Sequence, residues 1–374
     1  MESAQEQAGQ IGLVQIRVIG VGGGGGNAVA RMVGEQVRGV QYIMANTDAN
    51  ALGRAQNVTT VRIGDKLTRG LGAGGDAKKG GAAADESKTV LMEKLKGADL
   101  VFITAGMGGG TGTGAAPVVA QIAKDCGALT VAVVTTPFSF EGALRMSTAT
   151  AGIANLKDKV DTLVVINNER LNAMSDKKTS MQEAFQMADA VVGRAILAIA
   201  RIINEPGDIN VDFADLRAIM TEAGTGLMAI GHGSGPNRTI DAARHAIANP
   251  LLDLSIAGAR GVLFTVTGGP DLTLAEVNEA GQLVADEVDR EAQIFFGMHI
   301  EPAMGKDVDF TMVATKIDPV AEERHEAPAE YQRSWERPAQ DEDADLRVPA
   351  FLRKAHSRPG ELRPSRLPSD RNRR

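Results

Sequence analysis

The chain of 374 residues is 43% hydrophobic and 23% charged, ordinary proportions for a globular protein and a length that accommodates two domains. Its net charge of −7 argues against a broad nucleic-acid surface, so no nucleic-acid partner is expected. A single cysteine, Cys126, excludes an internal disulfide framework and points to a reducing cytoplasm, and no apolar run reaches the length of a membrane span.

Residues 1–12 are polar, lack an apolar signal core and read as a disordered start. Residues 16–19 form a short strand running into the glycine run 20–26 and Asn27, and residues 28–37 read as a helix. Gly20, Gly22 and Gly25 have dinucleotide-fingerprint spacing, and Asp48 follows at roughly the distance of a ribose-binding acid. Further strands read at 40–45 and 61–63, followed by a glycine loop at 70–75. Residues 106–114 carry six glycines in nine positions, between a buried-strand pattern at 100–104 and a helical pattern at 115–123 with Pro117 in its first turn. Strand, glycine loop and helix start together aim backbone N–H groups at an anion, and Thr111 and Thr113 add hydroxyl donors, so this stretch reads as a phosphate cradle. Strands at 130–134 and 162–166, separated by helices, complete a parallel α/β sheet that binds ligands at the carboxyl ends of its strands. All three glycine loops are expected to follow strands and to share one rim.

Ser180-Met181-Gln182-Glu183 is a capping box opening a long helix to about residue 203, apolar on most of its circumference and stopped by Glu205-Pro206-Gly207. It reads as a shaft between a nucleotide domain and a second α/β or α+β domain. That domain has helices near 239–248 and 273–288 and strands at 262–267, 293–296 and 308–315. Residues 318–345 carry ten acidic and three basic residues and read as a disordered linker, roughly 30 Å root-mean-square in span. Residues 346–354 are an apolar island with basic flanks, the look of a linear motif that folds onto a partner. Residues 355–374 form a basic tail, fit for an acidic partner or lipid.

No Walker A pattern occurs, so phosphates would be held mainly by backbone amides without the usual lysine. Three glycine loops exceed what a dinucleotide needs. The five histidines (His232, His245, His299, His325 and His356) make no evident hydride-transfer arrangement, so a nicotinamide-dependent oxidoreductase is disfavoured. The run Ala-Gly-Met-Gly-Gly-Gly-Thr-Gly-Thr-Gly-Ala-Ala-Pro at 105–117 resembles the signature of the tubulin and FtsZ GTPases, in detail that of the bacterial cell-division members. The resemblance covers nearly all of residues 14–317. It includes Val-Gly-Gly-Gly-Gly-Gly-Asn at 21–27, Ala-Asn-Thr-Asp at 45–48, Gly-Leu-Gly-Ala-Gly at 70–74, Pro-Phe-Ser-Phe-Glu-Gly at 137–142 and Asn-Val-Asp-Phe-Ala-Asp at 210–215. Val-Pro-Ala-Phe-Leu-Arg-Lys at 348–354 resembles the family's partner-binding peptide.

The resemblance implies a tubulin-type GTPase domain (13–179), a central connecting helix (180–205) and a smaller α/β or α+β domain (206–317) carrying a catalytic loop. It implies a cytoplasmic protein that binds GTP or GDP with Mg²⁺, assembles head to tail and builds the division ring at mid-cell. Val348, Pro349, Phe351 and Leu352 would recruit membrane-tethering and regulatory division proteins, without direct membrane insertion. Gly22, Gly23, Gly24, Gly25, Gly26, Gly72, Ala73, Gly74, Gly109, Gly110, Thr111, Gly112 and Thr113 would line the phosphates. Glu141 and Arg145 would lie at the ribose and phosphate region, and Asp48 is a candidate metal neighbour. Asn27, Asn168 and Asp189 would read guanine, with Phe185 against its face. Guanine presents a ring N–H and an amine, for which a carboxylate and amide oxygens are suitable partners.

Asn210, Asp212 and Asp215 would enter the nucleotide site of the next subunit, where the carboxylates would orient the attacking water. On the residues alone, Asp212 reads as an N-cap with Asp215 in the first helical turn, and both readings hold together. Likewise the asparagines read as turn residues, Phe185 as core, Glu141 with Arg145 as a surface pair and Cys126 as a small buried hydrophobe. A passive, non-hydrolysing nucleotide-bound polymer is a further alternative, disfavoured by Asp212 and Asp215. The chain departs from the family at Ala77 and Lys78, where Pro-Glu is usual, and at Gly81, where Arg is usual.

Overall fold

The computed structural model describes residues 13–35, 37–174, 179–205, 207, 209, 211–249 and 255–317. The start 1–12, Asn210, the linker 318–345, the peptide 346–354 and the tail 355–374 lie outside the described residues.

β1 (Ile16–Val21) leads into α1 (Gly22–Met32), followed by β2 (Val40–Asn46), α2 (Ala49–Leu52), β3 (Thr59–Arg62) and α3 (Asp65–Thr68). Next come α4 (Ala77–Glu86), α5 (Lys88–Leu95), β4 (Leu100–Gly106), α6 (Thr111–Asp125), β5 (Leu129–Thr136), α7 (Ala143–Lys157), β6 (Thr162–Asn167) and α8 (Asn168–Met174). α9 (Met181–Asn204) and α10 (Phe213–Met220) precede β7 (Gly224–Ser234), α11 (Arg238–Ile247), β8 (Ala259–Gly268), α12 (Leu274–Glu287), β9 (Gln293–Ile300) and β10 (Asp307–Ile317).

The strands form one sheet in the order β3-β2-β1-β4-β5-β6-β7-β10-β8-β9. β1 to β6 are parallel, β7 joins β6 over residues 162–164, and β10 runs antiparallel between β7 and β8. β1 pairs with both β2 and β4, so the strand order reverses there. The crevice beyond the carboxyl ends of two such strands is where open α/β sheets take ligands. Alternation along β1 splits the core: Ile19 and Val21 face α4 to α7, and Ile16 and Val18 face α1 and α9. A third cluster, including Ala243, Val266, Val277 and Phe310, fills the part built on β7 to β10.

Several expectations are corrected. The first helix begins at Gly22, not at residue 28, and ends at Met32; a run of glycines is a poor helix former, so packing rather than propensity sets this start. α6 begins at Thr111, which moves Pro117 from the first turn to the second and removes one ladder N–H. The loop at 70–75 follows not a strand but the single turn α3, closed by Arg69 in the left-handed region at φ 53°. β7 is absent from the pattern-based reading because its sequence carries four glycines, ordinarily depleted in strands. The structure supplies their reason: a Cβ on Gly231 or Gly233 would stand 1.9 Å from the carbonyl oxygen of Ala242 or Arg238, so α11 lies directly on the strand. α4 crosses the start of α6 in the same way, and Gly81, one of the departures, belongs to that crossing, its Cβ position 3.2 Å from the Gly114 carbonyl oxygen.

Arg238 fastens the second half. Its side chain is 6% exposed, donates from Nε to Glu276 at 2.8 Å and from Nη1 to both oxygens of Asp271 at 3.0 and 3.1 Å. Glu276 also closes the capping box of α12 with Thr273. Arg238→Ala strands two acids, and because both are partly exposed the expected loss is about 2 kcal/mol, below that of a fully buried pair. Arg238 holds the Glu276 carboxyl below its ordinary 4.5. That contribution is present above 4.5 and fades as pH falls through the lower folded value, so the wild-type and mutant denaturation curves should converge in acid.

Candidate functional site

The glycine segments meet because they lack side chains. A Cβ on Gly22 would lie 2.8 Å from the Gly112 nitrogen, and one on Gly110 would lie 2.9 Å from the Ala73 Cβ. The junction of β1 with α1, the loop after β4 and the loop around Gly72 and Gly74 therefore share one rim, with α1 and α6 both starting on it. Thr47 closes this rim: its hydroxyl is 2.7 Å from that of Thr111, and its carbonyl accepts the Gly72 N–H at 3.1 Å. Asp48 caps α2 by accepting from the Asn50 N–H at 2.8 Å and bridges to Leu71. No atom stands within 4 Å of a Cβ placed on Gly23 or Gly109, so both face open space.

The contacts continue around the site. A Cβ on Gly108 would touch the Arg145 carbonyl oxygen at 2.6 Å. Arg145 pairs with Glu141 at 3.0 Å, and Glu141 accepts from the Phe138 N–H at 2.9 Å. Phe138 stacks on Phe140, and both meet Phe185 edge-on. Phe185 is 40% exposed, which corrects its reading as core: the first turns of α9 project beyond the buried stretch that starts at Ala188. One turn along, Asp189 pairs with Arg31 at 3.1 Å, and Arg31 lies one turn beyond Asn27 on α1. The contacts thus close a ring that returns to its starting helix. Asn168, at the start of α8, is buried, and its Oδ1 has no hydrogen-bond partner among the described residues. Burial pushes the Asp189 carboxyl above the usual carboxylate range, and the bond from Arg31 pulls it part of the way back.

Asp212 and Asp215 stand outside this ring. Asp212 occupies the N-cap of α10 with extended backbone, yet its side chain makes no capping bond, so the capping role expected of it is not filled and its carboxylate is exposed. Both ends of the segment that carries it are tied to the edge where the strands begin. Asn204 exchanges hydrogen bonds with the backbone of Val14, and the Met220 carbonyl accepts from the Thr162 hydroxyl. The glycine segments that follow β1 and β4 lie at the strands' other ends, about 20 Å away for a six-residue strand.

Sequence reasoning gave no role to Thr47, Phe138 and Phe140, although they lie in the motifs at 45–48 and 137–142, and it missed Arg31. The two phenylalanines carried a signal, being spaced by two beside a glycine in a chain with 3% aromatic residues. Arg31 was detectable only as the i+4 neighbour of Asn27.

A parallel sheet whose order reverses beside two helices that start at glycine segments defines an α/β protein of the nucleotide-binding class. Residues 15–176 match the tubulin/FtsZ family GTPase domain, and residues 224–318 match the FtsZ family C-terminal domain. Among solved structures the chain is similar to FtsZ of M. jannaschii, an empty dimer, at 42% identity over 84% of this chain and 91% of that one, TM-score 0.79. CetZ2 and CetZ1 of Haloferax volcanii share the fold at 23% and 20% identity, over 82% of this chain and 94% and 96% of theirs, TM-scores 0.70 and 0.72. The chain belongs to the tubulin/FtsZ family, to its FtsZ branch. It is a GTPase, hydrolysis of GTP being the family's activity. No helix among the described residues is long and apolar enough to cross a membrane.

Proposed function

We propose that this GTPase assembles head to tail into filaments of the cell-division ring and cleaves GTP between subunits. The observation that carries the reading is the separation of the parts: the ring of glycines with Phe185 and Asp189 lies at one edge of the sheet, and Asp212 and Asp215 hang from a segment tied to the other. A site completed by a neighbour requires a heterologous contact, which propagates when its rotation does not close. The M. jannaschii relative is a dimer and the H. volcanii CetZ2 a protofilament with GTPγS, which supports assembly here.

On this reading the phosphates meet residues 22–26, 72–74 and 109–113, the ribose lies near Glu141 and Arg145, and guanine lies against Phe185 among Asn27, Asn168 and Asp189. Residues 13–179 form the GTP-binding domain, 180–205 the connecting helix and 206–317 the domain carrying the acids, with Asn210 assisting them. Residues 318–345 act as linker, 346–354 as the peptide for membrane-tethering and regulatory division proteins and 355–374 as a basic tail. The protein works in the cytoplasm at mid-cell. Among the described residues no three His, Cys, Asp or Glu side chains cluster as metal ligands. A rim with Asp48 fits Mg²⁺, which takes one or two carboxylates and completes its shell with phosphate oxygens and water. Bound there, the ion would neutralise the β and γ oxygens.

Pelleting and phosphate release, with GTP, GDP and ATP side by side, test the proposal. Only GTP should give pelleted polymer with phosphate release, and turnover per subunit should rise with protein concentration. Equal turnover in dilute, unassembled protein would overturn it. Asn168→Ala should lower GDP affinity about tenfold, the worth of one buried hydrogen bond. It should leave folding stability unchanged or slightly higher, because it removes an unpaired buried acceptor.

A further inference from the structure

Gly23, Asn27 and Arg31 recur at four-residue spacing along one face of α1, so that face runs from the phosphate rim towards α9. There Arg31 donates from Nε to Oδ2 of Asp189 at 3.1 Å, and Oδ1 makes no bond among the described residues. The Asp189 side chain is 15% exposed and that of Arg31 45%. We propose that Arg31 is a positioning residue for base recognition: by holding one oxygen of Asp189 it keeps the carboxylate anionic, leaving the other oxygen for the ring N–H and amine of a guanine. This rests on the reading that Asp189 faces the base.

Burial opposes the charged form of Asp189, and a cation at hydrogen-bond distance favours it. The charged groups on segments beside α9 include Arg31 on α1, Glu35 just after it, which pairs with Arg201, Glu141 on the turn whose Phe140 meets Phe185, and Glu169 and Arg170 on α8, while β5 carries none. α9 itself carries Glu183, Arg194 and Arg201 besides Asp189. Of these, Arg31 bonds Asp189. A neutral carboxyl at this position would present an O–H donor towards a base edge that is itself made of donors, so protonation should cost affinity. The sign follows. Affinity falls as pH drops through the Asp189 carboxyl of the free protein, and removing Arg31 raises that carboxyl further, so the fall begins at higher pH.

The test uses the full chain, dilute enough to be unassembled, titrated with a fluorescent GDP analogue from mildly acidic to neutral pH. Arg31→Gln should move the acid limb of the affinity profile up by about one pH unit, with near wild-type affinity at the upper end, and Arg31→Lys should restore much of the original profile. Asp189→Asn should bind weakly with that acid limb abolished. A uniform loss across pH in Arg31→Gln, or a profile unchanged from wild type, would overturn the role of Arg31 while weak binding by Asp189→Asn still upheld the base site. Full affinity in Asp189→Asn would overturn both.

Discussion

Replacing Asp212 or Asp215 by asparagine is expected to lower steady-state GTP turnover by roughly 10²-fold or more, the range lost with a group that activates an attacking water. GTP binding and pelleting should survive. The expectation follows from exposure and placement. Asp212 is exposed and its side chain caps nothing, so its charge contributes little to the fold. The cost of either change to α10 is that of one negative charge near a helix start, about 0.3–1 kcal/mol. Asparagine keeps the shape and removes the charge. Carboxylates near a triphosphate repel it, so on the proposed shared site their value would come from orienting water at the moment of attack. A mixing experiment separates a shared site from a distorted subunit. Asp189→Asn subunits carry the acids with an impaired base pocket, and Asp212→Asn subunits carry an intact pocket. Mixed in equal amounts, they should regain turnover that neither shows alone. A mixture as slow as its components would remove the shared site from consideration.

Much of the fold was legible because long, strongly patterned segments announce themselves. The capping box at Ser180 and Glu183 and the apolar run behind it gave α9 to within a residue, and the structure forms both reciprocal bonds. The strands β1, β2, β4, β5 and β6 read from their apolar runs, since a sheet covered on both faces needs little alternation. What stayed hidden depended on contacts between distant residues. β7, with four glycines, drew no strand reading, and its glycines make sense only once α11 is laid on it. The candidate site divides similarly: the glycine loops were visible one by one, but Arg31 becomes part of the site only when α9 brings Asp189 to it. Nor did anything in the sequence around Thr47 foretell its hydroxyl contact with Thr111. Asp212 is the converse, a residue whose local role was legible and is not exercised.

The run of five glycines in α1 makes the sharpest division between packing and binding, because its members look alike in the sequence. Gly25→Ala is expected to cost about 4 kcal/mol or more and to leave little folded protein. Its Cβ would stand 2.2 Å from the Thr104 carbonyl oxygen and 3.1 Å from the Gly20 carbonyl carbon, backbone on both sides. α1 could retreat only by lifting Ala28, Val29 and Met32 from the core, and each large side chain exposed would cost about 1.5–3 kcal/mol. Gly23→Ala meets nothing within 4 Å and sits in a helix at negative φ. There alanine should raise stability by up to about 1 kcal/mol, the difference in helix propensity. Its methyl, however, stands on the rim where a phosphate would approach the amides, so GTP affinity should fall about tenfold or more, near 1.4 kcal/mol. Thermal melts and nucleotide titrations of the two variants, two positions apart, thus have opposite expected outcomes. If Gly23→Ala unfolded like Gly25→Ala, the rim would be a packing surface. If it folded well and bound GTP at full strength, the phosphates would have to lie somewhere other than the start of α1.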